Sequence, residues 1–487
     1  MSENVLPDVL DVNLVSPVFS KTAFGELSVA QPTPVVQMAA NYGLGSKAFT
    51  FTIGAGVALA ENSLFKCQTT ASANSFSSIL TEKQLIYRPG QGALARLTAM
   101  FTAGIAGNQQ IAGLITATDA LSFGYNGADF GIFYSHSGKI ELQTLTITTP
   151  AAGAENATVT VNGTGYTVPL TAGTVQDNAY EISESLNAQV PMFEFSSNDD
   201  TVISSPTLSG PATGAYAFTS ATAIGAWVQD VAGVVNTDEF IDQSSWNRDT
   251  FLTLDPTMGN VYQIRFQYLG FGGISFYIEN PATTEFDLVH VIEYANQHIV
   301  PSVTNPSFRI GWATTNTSNA TAIEVSGASA GGFVEGEVVL SEDPRSLEAS
   351  VIGVGSVAQI NMLTIRNRIV FGEQRNRAPI LAIGVTGLTE SSKGAILRVI
   401  KNATITGNLD YQYLDENSSI TELALDNGVV AGGDIISSIA VTTAGAEINL
   451  SIVDLKLLPG ETLTLAMRTI SGGASDAAVT ISFREDL

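Results

Sequence analysis

In YQIRFQYLGFGGISFYIEN, residues 262–280, apolar side chains recur at every second position. Tyr262, Ile264, Phe266 and Tyr268 precede a glycine-rich break, and Ile274, Phe276 and Ile278 follow it. A period of two sends alternate side chains to opposite faces of a strand. The stretch therefore reads as a hairpin with one face on a core and Gln263, Arg265 and Gln267 on the other. Burying seven such side chains is worth on the order of 10–20 kcal/mol before entropy, at roughly 1.5–3 kcal/mol each. A hairpin built this way is scaffold, not active site.

The same short-period texture fills 48–145, with AFTFTIG, LARLTAMFTAGI, QIAGLITATDALSFGY and DFGIFYS separated by turn residues. It resumes at 245, and a further set of strands, among them NMLTIRNRIVF, AILRVIKNATITG and TLTLAMRTI, runs from 345 to 487. Between them the pattern changes. TVTVNGTGYTVPL offers two alternating strands around Asn162, Gly163, Thr164 and Gly165, residues suited to a tight hairpin turn. In GTVQDNAYEISESLNAQ, Thr174 with Asp177 three residues later forms a capping signal, and Val175, Ala179, Ile182 and Leu186 share one helical face. FEFSSNDDTVISSP then returns to strand character.

These patterns predict a mainly β, multi-domain chain of antiparallel β-sandwiches with one small α+β insertion. Residues 46–145 plus 245–340 form one sandwich, 146–244 the inserted module, and 345–487 a C-terminal sandwich or jelly roll. Residues 1–45, with Pro7, Pro17, Pro32 and Pro34, read as an extended N-terminal arm that needs a surface to cover.

Charge narrows the partners. With 46 acidic and 21 basic residues the formal net charge is −25, which repels phosphate backbones and anionic lipid surfaces. Neither nucleic acid nor membrane insertion is expected. The one cysteine, Cys67, has no intramolecular disulfide partner. MSENVLPDVLDVNLV carries Glu3, Asp8 and Asp11 where a signal peptide needs a basic start and an apolar run. No apolar stretch approaches the roughly 18 residues of a membrane-spanning helix. Synthesis in the cytoplasm without an export signal is the expectation.

Catalytic signals are weak. There is no G-x-S-x-G, P-loop or dinucleotide fingerprint. His290 and His298, with Glu293 between them, match no zinc spacing. Asn198, Asp199 and Asp200, or Asp415, Glu416 and Asn417, offer hard oxygens for a loop calcium but lack EF-hand spacing. No cofactor, metal or catalytic residue is assigned. Tyr125, Trp227, Trp246, Tyr268, Phe271, Tyr277 and Trp312 are aromatic faces on which a sugar can stack, though most suit a core. Phe271, at a hairpin tip between glycines, and Trp312 are taken as ligand or partner contacts. Arg366, Arg368, Arg375 and Arg377, with a turn near Phe371–Gln374, gather four of the 21 basic residues. In so acidic a chain, such a patch is expected to form a subunit interface.

Four stretches, YRPGQGALARLTAMF (87–101), LSFGYNGADFGIFYSHSGKIELQTLTIT (121–148), ATVTVNGTGYTVPLTAGTVQDNAYEISESLN (157–187) and the opening hairpin with FDLVHVIEYANQHIVPSVTNPSFRIGWATTNT, resemble bacteriophage virion structural proteins of the tail-fibre, head-fibre or decoration type. The insertion is similar to an α+β module of phage tail and neck proteins. FGIFYSHSGKIE with the opening hairpin resembles concanavalin-like sandwiches. The resemblance implies a non-enzymatic virion component that forms a homo-oligomer, with a trimer natural for a fibre, alongside other virion proteins, and acts in assembly and surface attachment. The alternatives are a carbohydrate-binding module for a host glycan and a polysaccharide-degrading enzyme, for which 46 acidic residues supply carboxylate pairs.

Overall fold

The computed structural model describes residues 32–319, 321–336, 342–451, 455–470 and 472–487. Most of the expected N-terminal arm, 1–31, lies outside them. Among the described residues strands dominate, nearly all antiparallel, with one α-helix longer than a turn, so the fold is mainly β. The chain divides into two compact units. One comprises residues to Ile115, Ala120–Tyr134 and Glu239–Val338, and the other Thr116–Asp119, Ser135–Asp238 and Val339–Leu487.

In the first unit the hairpin read from the sequence forms as Asn260–Phe266 and Ile274–Glu279, with Tyr262 opposite Ile278 and Ile264 opposite Phe276. The strand Ala93–Phe101 pairs with the hairpin on one side and with Ser329–Glu335 and Glu324–Gly327 on the other. Pro32–Ala39 adds to Ser329–Glu335 as an edge, where prolines cost no ladder hydrogen bond on the open side. A seven-stranded sheet faces this one, running Thr237–Asp242, Asp129–His136, Ala120–Asn126, Asn108–Ile115, Arg309–Asn316, Ser75–Thr81 and Ala48–Ile53. Side chains of the two sheets meet in one aromatic-rich core. Phe123 lies 4.8 Å from Tyr262 and 5.4 Å from Phe276, edge-on to the latter, an arrangement that adds to plain area burial. The other hairpin face is also covered: Arg96 Nε donates to Gln263 Oε1 at 2.8 Å, and Arg265 pairs with Glu335.

The second unit has two large cores and a smaller cluster around Ile400, Leu409 and Tyr411. In one, the hairpin Glu155–Val161 and Thr164–Leu170 turns through Asn162 and Gly163, both at positive φ, as an Asn-Gly turn between twisted strands requires. The helix Val175–Gln189 starts at a complete capping box: Asp177 N–H donates to Thr174 Oγ1, and Thr174 N–H donates back to Asp177 Oδ2 at 2.7 Å. Ala179, Ile182 and Leu186 are buried against Leu145, Val159, Val168 and Phe195. A four-stranded sheet, in the order Phe193–Asn198, Thr201–Pro206, Leu142–Thr149, Ile224–Val231, completes this core. The other core lies between two C-terminal sheets. Ile360–Asn367, Thr462–Thr469 and Ala395–Lys401 are central to one, and Ser475–Glu485 with Ile380–Thr389 to the other; Leu363, Leu397, Leu465, Val479, Ile481 and Phe483 are buried between them.

Candidate functional site

The two aromatic positions singled out in the sequence have opposite fates. Trp312 lies in Arg309–Asn316 with 1% of its surface exposed. Its Nε1–H donates to Thr98 O at 2.9 Å, and its ring packs 5.5 Å from Phe65. A ligand reaches it only by unfolding the sandwich, so the expectation of a contact residue is corrected. The strand's inward register decided this, since Trp312 falls on the same face as the buried Ile310.

Phe271 is 39% exposed at the hairpin tip. The turn places Leu269 and Gly270 at positive φ. Gly272 lies so close to Gln267 O that an added Cβ would fall within 1.8 Å of it, which fixes glycine there. The tip is tied to the loop 294–303: Ser302 N–H donates to Gly270 O at 2.8 Å, and Tyr268 OH donates to Val303 O at 2.9 Å. That loop stacks His298 on Tyr294 at 3.9 Å, nearly parallel, with Phe271 6.3 Å from Tyr294. Ile299, 97% exposed, and the exposed Leu269 and Val300 complete a small apolar tip. Burial raises the Tyr294 pKa. What the tip offers chemically is flat ring surface and apolar contact.

The four arginines are engaged within the second unit. The turn expected near Phe371–Gln374 is present, as two-residue strands around Gly372 and Glu373 at positive φ. Arg366 is nevertheless buried: its Nε donates to Glu422 Oε2 at 2.7 Å, its Nη2 donates to Ser197 O, and its guanidinium lies 3.6 Å from the Tyr411 ring centroid. Asn198 Nδ2 donates to the other Glu422 oxygen at 3.2 Å. Arg368 donates to Glu416 O and Ser419 O and stacks on Tyr413 at 3.8 Å. Arg375 pairs with Glu194 and donates to Pro206 O, and Arg377 donates to Thr118 Oγ1 at 2.8 Å. The open positive patch that motivated a subunit interface is thus corrected. Arg366 and Arg375 clamp the inserted module to the C-terminal sheets, and Arg368 braces a C-terminal loop. Burial lowers the Arg366 pKa, but Glu422, Tyr411 and Glu184 together outweigh it and the net shift is upward. Burial also pushes the Tyr180 hydroxyl up to about 12 and raises Glu184. Glu422, Tyr411 and Ser197 went unseen in the sequence, because 169 positions separate Arg366 from Ser197.

The metal-type groups do not assemble. His290 Nδ1 accepts from Asn247 N–H, whereas His298 stacks on Tyr294. Asp415 Oδ1 caps the backbone N–H groups of Asn417 and Ser418 at 3.0 and 2.7 Å. Among the described residues no group of three or more His, Cys, Asp or Glu side chains is placed to hold a metal ion, and no helix is long and apolar enough to cross a membrane.

No protein-family model matches the chain, and no curated protein does. Solved structures with partial similarity include infectious bursal disease virus of the Gx strain, at 8% identity over 82% of this chain and 78% of that one with a TM-score of 0.13. The Gt strain aligns at 10% identity over 82% of both chains with a TM-score of 0.11. T=1 particles derived from the same virus align at 11% identity over 82% of this chain and 80% of that one, with a TM-score of 0.10. Scores this low do not mark a shared fold.

Proposed function

We propose that the chain is a non-enzymatic structural component of a bacteriophage virion, a fibre, decoration or tail- or capsid-associated protein that assembles as a homo-oligomer with other virion proteins. One observation carries this reading. The four stretches that resemble phage virion proteins are spent on framework: the strand Ala93–Phe101, the strands between Ala120 and Thr149, the capped helix with its hairpin, and the strands Asn260–Phe266, Ile274–Glu279, Phe286–Ile292 and Arg309–Asn316. Their apolar side chains fill cores, and the turns between them present surface. On this reading the two-sheet first unit is a concanavalin-like display domain, a trimer is the arrangement a fibre would adopt, and many weak contacts on one particle add up to firm attachment.

Mass spectrometry of gradient-purified particles from cells that make this chain tests the proposal, with gold-labelled antibody to locate it. Stoichiometric peptides at a fixed position on the particle are expected. Consistent absence from particles, while the chain is abundant in the same cells, overturns it.

Recognition of a host glycan is a second reading, favoured by one feature: the exposed Phe271 beside the stacked Tyr294–His298 pair. Binding on a glycan array that is lost in Phe271→Ala supports it. Binding that survives this change moves the contact elsewhere.

A further inference from the structure

From Thr201 to Gln229, 29 residues pass without an ionisable acidic or basic side chain, the longest such run in a chain whose formal net charge is −25. The run leads into the strand Ile224–Val231, which among the described residues pairs on one side only, with Leu142–Thr149. Its inward positions are occupied: Gly225 sits against Ile147 and Leu145, and Trp227 meets Tyr216 edge-on at 5.2 Å. Its outward positions are Ile224, Ala226 and Val228, with Ile224 59% and Val228 58% exposed. An eight-residue edge without proline, lysine or arginine, carrying an apolar outer stripe, is the kind of strand that soluble proteins avoid leaving open.

Three other edges of this protein are covered or interrupted. On the far side of the same sheet, Phe193–Asn198 is covered from within the unit, by Arg375 on Glu194 and by Asn198 on Glu422. In the first unit the edge strand Phe286–Ile292 is plugged by Asn247, whose side-chain amide donates to Val291 O and accepts from Val291 N–H, both at 2.9 Å. Pro32–Ala39 carries two prolines.

We propose that Ile224–Val231 pairs antiparallel with the same strand of a second copy, about a two-fold axis at Trp227. In that register Val228 lies opposite Ala226, Gln229 opposite Gly225 and Asp230 opposite Ile224, so no like charges meet. Asp230 is already held on its own sheet by the Thr144 hydroxyl. The two Asp230 carboxylates stand about 20 Å apart, six strand positions, beyond the roughly 8 Å screening length at physiological salt. The pairing joins two four-stranded sheets into one and brings both outward stripes together on a single face. A second copy fits better than a foreign strand for two reasons. The register is self-complementary, and an uncharged run is where two chains of large like charge repel least. The contact is read from strand pairing and charge alone, so it stands or falls apart from the virion assignment.

The full-length chain in sedimentation equilibrium tests it. The expected wild-type mass is at least twice the 51.0 kDa of one chain, and Ile224→Lys/Val228→Lys halves that mass while the chain keeps its wild-type circular dichroism spectrum, because both side chains are exposed in the single chain. Direct opposition across the pair places Cα atoms about 5 Å apart, within disulfide reach. Ala226→Cys and Val228→Cys chains, co-expressed and oxidised, are therefore expected to cross-link to each other far more than either does alone, and the buried Cys67 does not interfere. A wild-type mass of 51.0 kDa, an unchanged mass in the double-lysine variant, or no enrichment of the mixed cross-link each overturns the proposal.

Discussion

The backbone N–H of Asn247 donates to His290 Nδ1 across 3.2 Å. An amide N–H only donates, so Nδ1 carries a lone pair and the proton of the neutral ring sits on Nε2. The strand around His290 carries a bulge at Val289, the residue skipped in pairing with Ile274–Glu279. The freed Val289 carbonyl accepts from Arg248 and Asp249 N–H. Asn247 closes the same edge through Val291. Burial lowers the His290 pKa, Arg248 lowers it further, and Glu293 opposes them.

A stability loss on acidification follows. The unfolded chain takes up a proton at His290 near pH 6.5 and the folded chain only below that, so this contribution is complete above pH 6.5 and declines as pH falls below it. In His290→Asn, Oδ1 replaces Nδ1 as acceptor and does not titrate. Melting curves from pH 7.5 to 5 are expected to show a smaller decline in the variant than in the wild type, and parallel curves would refute the assignment.

Arg366 and Glu422 form a buried pair, and removing one member strands the other charge. Arg366→Met and Glu422→Leu are each expected to cost about 3–5 kcal/mol, whereas Arg366→Met/Glu422→Leu together recover a large part of that. Urea unfolding of the two single variants and the double variant measures the coupling. Additive losses would mean that the pair does not act as a clamp.

Glu155 gathers the Ser220 hydroxyl first, and then the N–H groups of Ala223 and Thr222 and the Thr222 hydroxyl, which together bring its pKa from 4.5 to about 2. The stabilisation is present above pH 4.5 and is lost as pH falls from there toward 2. Glu155→Gln is expected to flatten the melting profile in that window, and carboxylate NMR titration locates the shift directly.

Trp312→Ala is expected to destabilise by about 3–5 kcal/mol, as a large buried aromatic does. Phe271→Ala stays within about 0.5 kcal/mol, as exposed positions do. Chemical denaturation separates them. The contrast matters for binding assays, because loss of binding in the tryptophan variant would report unfolding, whereas loss in the phenylalanine variant would report contact.

Alternation and capping made much of the framework legible. The positions expected inside the hairpin from Tyr262 to Ile278 are buried except for Tyr268, which is partly so, and the helix begins at the Thr174 box. Both signals are local: a strand's faces follow from its period and a cap from residues three apart. Trp312 was misjudged because aromatic type says nothing of which sheet face it lands on.

The sequence by itself determined the mainly β character, the turn at Asn162–Gly163 and the one long helix, since each depends on neighbours within a few residues. Only the tertiary structure decided where the charges went. Arg366 meets Glu422 and Ser197, His290 turns its lone pair to Asn247, and Ile224–Val231 comes to lie at the end of its sheet. Such pairings join residues tens to hundreds of positions apart. Chain order carries no record of them, because it is packing of the sheets that selects which distant groups share a low-dielectric space.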